Sequence, residues 1–294
     1  MRALSLILLL SSTYAGCARH LPATAPGSRA PVPKPVRLPF DPILFEDTVV
    51  ALAADEGEPA RLADLGRRTL AVYDLASGGA RRLDRWDLSS LDPPDAPVAR
   101  HAVGCVAWTV GRASGRRLVV RSTALDEAGS VEATFTPGRN EPEGPPAARM
   151  DGACSGFRKG IEAGSPGRAV CTSENGPCFY VDSVARLRVL ELGGDRAAAD
   201  GPYGEPLAAR GGSGAAVVLV SSASLPGEPD LLVELGWDGS RLEPRGRSAP
   251  FDGKLLAAAF LERADAVVIA EAAADARSIL RIVRDGALGP AHGP

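Results

Sequence analysis

Residues 69–83, TLAVYDLASGGARRL, decide how the rest of the chain is read. β-prone residues run into Asp74, a Ser/Gly/Ala turn follows, and a second extended run completes the pattern of a β-hairpin. An acid precedes a Gly-containing turn in four later segments: Asp126 in ALDEAGSV, Glu191 in VLELGGD, Asp238 in GWDGSRL and Asp285 in VRDGAL. The steps from Asp74 onward are 52, 65, 47 and 47 residues. Such regularity marks a repeated sheet unit, and it makes these five acids turn-forming residues rather than catalytic ones.

Outward from the hairpin the same grammar continues. Residues 48–54 (TVVALAA) form an apolar run of strand length, and one helical turn is expected at 60–65. The second unit has 102–110 (AVGCVAWTV), a turn at 111–115, 117–125 (RLVVRSTAL) and a closing strand at 130–135. The third is interrupted by an insertion over 136–178. It comprises the Pro/Gly-rich loop 136–148 (TPGRNEPEGPPAA) and a cysteine segment from Cys154 to Cys178, and it accounts for the long 65-residue step. The fourth has AAVVLVS at 215–221, DLLVELGW at 230–237 and the hairpin dipeptide Asp238-Gly239, whose residues both tolerate positive φ. In the fifth, Ala, Leu and Glu over 254–284 allow helices, but the β-branched clusters Val267-Val268-Ile269 and Ile282-Val283 favour strands.

Strand, turn, strand units of about 40–50 residues have the spacing of β-propeller blades. The pairs Tyr73-Asp74 and Trp237-Asp238 look like the Trp-Asp ending of a blade strand, and on them residues 45–290 resemble a loose WD40-like or quinoprotein-like propeller. The other units carry Leu-Asp, Leu-Glu and Arg-Asp, and no Gly-His opens a blade. The resemblance implies an all-β fold of about five blades; a β-sandwich would give the same local pattern. The first unit is one inner strand short, so residues 36–45 or the last residues are expected to close the ring. Propeller loops suit a non-catalytic scaffold for protein partners, with the insertion as the expected partner surface.

The amino terminus has its own signature. Arg2, the apolar run 4–10 (LSLILLL) and small residues thereafter form a secretory signal over 1–16, and seven residues are too few for the ~20 of a membrane span. The ending Tyr14-Ala15-Gly16-Cys17 resembles the lipobox of bacterial lipoproteins, with Tyr14 where that family usually has an aliphatic residue. The resemblance implies lipidation of Cys17 and a membrane-anchored place in a bacterial envelope, periplasmic or surface-exposed. The span 17–42 is proline-rich, so it reads as an extended tether that reaches roughly 75 Å if polyproline-like. The folded domain is then 43–294.

Setting Cys17 aside leaves Cys105, Cys154, Cys171 and Cys178, an even number that favours two disulfides in an oxidising compartment. Cys171 with Cys178 and Cys105 with Cys154 is the leading connectivity, and Cys154 with Cys171 its rival. No Cys-x-x-Cys and no neighbouring histidine supports a metal, and no motif calls for a cofactor. A net charge of -3 with interspersed signs excludes a nucleic-acid footprint. Of three histidines, His20 lies in the tether and His292 at the end of the chain, which leaves only His101 among the expected strands, so no serine or cysteine triad is suggested, and Gly211-Gly212-Ser213-Gly214 lacks the Lys of a phosphate loop.

A second reading keeps a small-ligand or saccharide-binding propeller, which becomes a hydrolase only if two acids converge. The sequence pairs Asp126-Glu127, Asp92 with Asp95, and Asp55-Glu56 are ordinary loop acids, and Trp86 is expected to be exposed. A site in the central channel would need acids or aromatics converging from the inner strands.

Overall fold

The computed structural model describes residues 42–55, 60–76, 79–88, 103–110, 116–123, 130–139, 169–173, 175–182, 184, 186–191, 194–198, 203–212, 215–222, 229–261, 265–284 and 289–290. All of them fall within one unit, Pro35–Pro294. They form twenty short strands and one 3-10 turn at Ala274–Ala276. The leader, Cys17 and the tether lie outside the described residues.

Strand β1 (Ile43–Phe45) is followed by blade I, made of β2 (Val49–Asp55), β3 (Ala60–Gly66), β4 (Thr69–Ala76) and β5 (Gly79–Asp87) in spatial order. Blade II has β6 (Val103–Val110), β7 (Arg116–Thr123) and β8 (Ser130–Phe135). Blade III has β9 (Ala169–Cys171), β10 (Cys178–Val181), β11 (Leu187–Glu191) and β12 (Gly194–Ala198). Blade IV contains β13 (Tyr203–Gly212), β14 (Ala215–Ser222), β15 (Leu232–Trp237) and β16 (Leu242–Arg247). Blade V contains β17 (Leu255–Leu261), β18 (Ala266–Ala272) and β19 (Ser278–Arg284). The protein is a five-bladed β-propeller, not a pair of facing sheets.

Both ends of the domain add outer strands. β1 pairs antiparallel with β19, with Leu44 opposite Ile279, so blade V is completed by the start of the domain and the ring is closed. β20 (Gly289–Pro290) pairs with β16 and lengthens blade IV. The missing strand is thus an outer strand supplied to the last blade, not an inner strand of the first.

The hydrophobic core lies between the blades. Leu62, Tyr73 and Leu75 of blade I meet Phe45, Val268 and Leu280 of blade V. The opposite face of blade I, with Leu65, Leu70 and Trp86, packs on Val106, Leu118 and Phe135 of blade II. Blades III and IV share a cluster around Phe179, Val218 and Trp237, and blades IV and V one around Leu219, Leu232 and Ile269. A sheet covered on both sides loses the alternation of a half-exposed strand, so β3 is buried continuously from Leu62 to Gly66. That explains why the helical turn expected at 60–65 is a strand: its apolar run satisfies two neighbours.

The opening hairpin is present as β4 and β5, but Asp74 is not in its turn. It stands within β4 opposite Arg81, 3.5 Å from its guanidinium. Asp238 does make its turn: Oδ1 accepts the amides of Ser240 and Arg241 and the Ser240 hydroxyl. These bonds, the hydroxyl first, hold its carboxyl down to about 2. Glu191 ends β11, and Asp126 and Asp285 lie outside the described residues. The strand reading of 254–284 holds.

Candidate functional site

The inner strands β2, β6, β9, β13 and β17 jointly enclose a cavity of about 440 Å³ on the ring axis. Its wall comes from the later residues of each strand: Leu52 to Ala54, Ala107 and Trp108, Val170 to Thr172, Leu207 to Gly211, and Ala258 to Phe260. Alanine recurs on four of the five strands and leaves the axis unfilled. The polar and aromatic groups are few. The Arg210 guanidinium lies over the Phe260 ring at 4.4 Å from its centroid. Trp108 donates its indole Nε1–H across the blade boundary to the Ala53 carbonyl at 3.1 Å, which fixes the ring at the channel wall.

No carboxylate or histidine stands among these lining residues. The described wall therefore does not supply the paired acids a glycoside hydrolase uses. It does supply converging aromatics and one cation. Among the described residues no group of three potential metal ligands is found, and no helix is long and apolar enough to cross a membrane.

The expected site residues are placed as follows. Cys171 and Cys178 are joined in a disulfide, on strands that pair directly, which excludes the rival pairing of Cys154 with Cys171. Cys105 lies on inner strand β6 and is also disulfide-bonded. Cys17, Cys154, the three histidines, Asp92, Asp95, Glu127 and Glu56 lie outside the described residues, as does most of the insertion, 140–168.

Trp86 contradicts its expected exposure: it is 4% exposed on β5, with its ring 5.2 Å from that of Phe135. The segment RWDLSSLDPPDAP reads as a loop, yet its first three residues finish a strand that faces blade II. The Trp86 Nε1–H donates to the Arg139 carbonyl at 2.8 Å, and Asp84 accepts the Gly138 amide at 2.9 Å. The root of the insertion is thereby held to blade I.

Other polar groups here were not singled out from the sequence. Asp230 is fully buried, and its carboxylate accepts the amides of Ser222, Leu231 and Leu255 and the Ser222 hydroxyl, tying blade IV to blade V. Buried Glu271 accepts the Gly253 amide and Arg281 Nε, both at 2.7 Å. Asp64 differs from both. It is fully buried on β3 between Leu52 and Ala71, and neither oxygen has a hydrogen-bond partner. Burial, reinforced by the nearby Asp47 charge, raises its carboxyl well above the ordinary range. Burial, then the Asp64 charge, likewise pushes the Tyr73 phenol up. The available signal was a lone acid inside the apolar run 60–66.

No protein-family model matches the chain, and no curated protein sequence matches it. Solved structures with a similar course include a chain of the mitotic checkpoint complex, at 10% identity and a TM-score of 0.44, covering 82% of this chain and 93% of that one. Hsv2 of Kluyvelomyces marxianus aligns at 8% identity and a TM-score of 0.34, covering 81% and 72%. The computationally designed Ika8 protein aligns at 12% and 0.26, covering 84% and 74%. The propeller assignment rests on this chain's own sheet order.

Asp64 generates a prediction with a definite sign. The unfolded chain ionises this acid in the ordinary carboxylate range, while the folded chain keeps it neutral to higher pH. Folding is therefore progressively penalised as pH rises above that range. Replacing Asp64 with Asn should remove the penalty, so in urea unfolding the stability gap between Asp64→Asn and wild type should widen in favour of the variant from pH 4 to pH 8. Parallel pH profiles would contradict the neutral buried acid.

Proposed function

We propose that the protein is a non-catalytic envelope lipoprotein that presents the loops of a rigid propeller to protein partners. The observation that carries this reading is the cross-tying of the ring. Trp86 and Asp84 join blade I to the root of the insertion, Trp108 joins blade II to blade I, and Trp237 joins blade IV to Glu191 of blade III at 3.0 Å. Asp230 joins blades IV and V, and Thr48 and Val49 join blade I to blade V. Loops carried on such a frame vary in sequence without loss of the fold, and their positions are held for recognition. The anchor rests on the lipobox-like run ending at Cys17, with the proline-rich span 17–42 as the tether between bilayer and ring.

The insertion is the proposed partner surface. Because Gly138 and Arg139 are hydrogen-bonded to blade I, a deletion of residues 140–146 spares those bonds. Crosslinking in intact envelopes followed by affinity capture should recover a partner with wild type and lose it with the deletion, while the melting temperature stays within a few degrees. Undiminished capture would remove the insertion from the interface. In the same cells a palmitate label should be incorporated by wild type and not by Cys17→Ala; a label that survives the substitution rejects the anchor.

A further inference from the structure

We propose that the central cavity is a binding site for a small aromatic molecule of one or two fused rings. The inference goes beyond the scaffold reading and does not depend on it. The first observation is space: a cavity of about 440 Å³ lies within the range of roughly 300–1,000 Å³ typical of sites that enclose small ligands. Ala53, Ala54, Ala107, Ala209 and Ala259 leave that space open, because each gives the wall no more than a methyl group.

The second observation is that the wall carries two aromatic rings set before anything binds. Trp108 and Phe260 line the cavity from blades II and V, and the protein itself only half-buries them. The Trp108 indole is pinned by its bond to the Ala53 carbonyl, and the Phe260 ring lies under the Arg210 guanidinium. A preset wall reduces the ordering cost of association. Aromatic rings also meet one another in offset or edge-to-face geometries that gain energy beyond the area they bury. Arg210 has a further partner besides Phe260, so it is assigned no part in selecting the charge of the ligand.

The third observation is the backbone. Each of β2, β6, β9, β13 and β17 is the end strand of its sheet, hydrogen-bonded to one neighbouring strand only. The outer edge of an end strand presents main-chain N–H and C=O groups, and here five end strands surround one axis. The Ala53 carbonyl on β2 already accepts an indole N–H, that of Trp108. A ring with one polar atom needs one such group. A saccharide fits less well, because no Asp, Glu, Asn, Gln or His stands among the lining residues to replace the water on its many hydroxyls.

The test titrates the full chain, isotope-labelled for magnetic resonance and carrying Cys17→Ala so that no acyl group of its own competes, with indole. The chain has three tryptophans, and Trp86 and Trp237 are buried in blade boundaries away from the cavity lining. Indole should shift the Trp108 side-chain N–H resonance to saturation and leave the other two in place, while glucose at the same concentration moves none. Trp108→Phe assigns the resonance by its loss. In calorimetric titration Ala54→Leu, which narrows the cavity from β2, should weaken indole by about tenfold, equivalent to about 1.4 kcal/mol. Trp108→Leu should weaken it as much, and Ala54→Leu serves as the locating variant if Trp108→Leu fails to fold. Absence of saturable indole binding, a shift at Trp86 or Trp237 as large as that at Trp108, a response to glucose instead of indole, or an affinity indifferent to both Ala54→Leu and Trp108→Leu would each overturn the proposal.

Discussion

A ring of sheets holds only if its last blade is joined to its first, and here the joint is made by residues 43–49. β1 adds an outer strand to β19, and the chain then crosses directly into β2 of blade I. Phe45 buries its ring in the shared core of blades I and V. Asp47 turns its carboxylate onto the β3–β4 connection and accepts the amides of Arg68 and Thr69, while Thr48 donates to the Ala276 carbonyl and Val49 to Ser278 Oγ. Hydrogen bonds to a charged acceptor contribute about 1.5–3 kcal/mol each. Gly66 is required at this point, because a Cβ there would collide with the Asp47 carboxylate and the Phe45 ring.

The remaining boundaries repeat the combination of apolar packing and a directed polar tie. Each tryptophan buries an indole body in a sheet or at the channel wall, and its single N–H must find an acceptor. All three acceptors lie on another blade or on the insertion's root, so the same side chains that fill the boundaries also fix blade register. The clusters described fill four of the five boundaries. The remaining one is between blades II and III, whose strands β8 and β9 the insertion separates in sequence. The start of the insertion, at Gly138 and Arg139, is secured to blade I by Asp84 and Trp86.

The fold was largely legible because hairpins announce themselves locally. The turn at Asp238-Gly239 and the alternating or β-branched runs of blades IV and V read correctly from residues alone. Features set by the second covered face of each sheet did not. The run 60–65 looks helical when only one partner is considered, Trp86 looks like loop, and Asp74 looks like a turn residue although its partner is Arg81 across the hairpin. The channel was less legible still. Its wall is assembled from five strands more than 200 residues apart at the extremes, and nothing in the separate fragments Ala107-Trp108 and Ala258 to Phe260 says that they face one axis. Arg210 over Phe260 is visible only once β13 and β17 are neighbours.

An axis lined with alanine places unusual weight on closure, since little side-chain volume at the centre holds the blades together. The most direct measurement is therefore a covalent trap of the joint. Leu44 and Ile279 are directly opposed in the β1–β19 pair, and opposed residues of antiparallel strands have Cα atoms about 4.5–5.5 Å apart, within the roughly 4.4–6.8 Å that a disulfide spans. With Leu44→Cys and Ile279→Cys in the Cys17→Ala background, non-reducing peptide mapping of the monomer should show a 44–279 disulfide, accompanied by a higher melting temperature. Free thiols at both positions, with the native disulfides intact, would contradict a ring closed by its first strand.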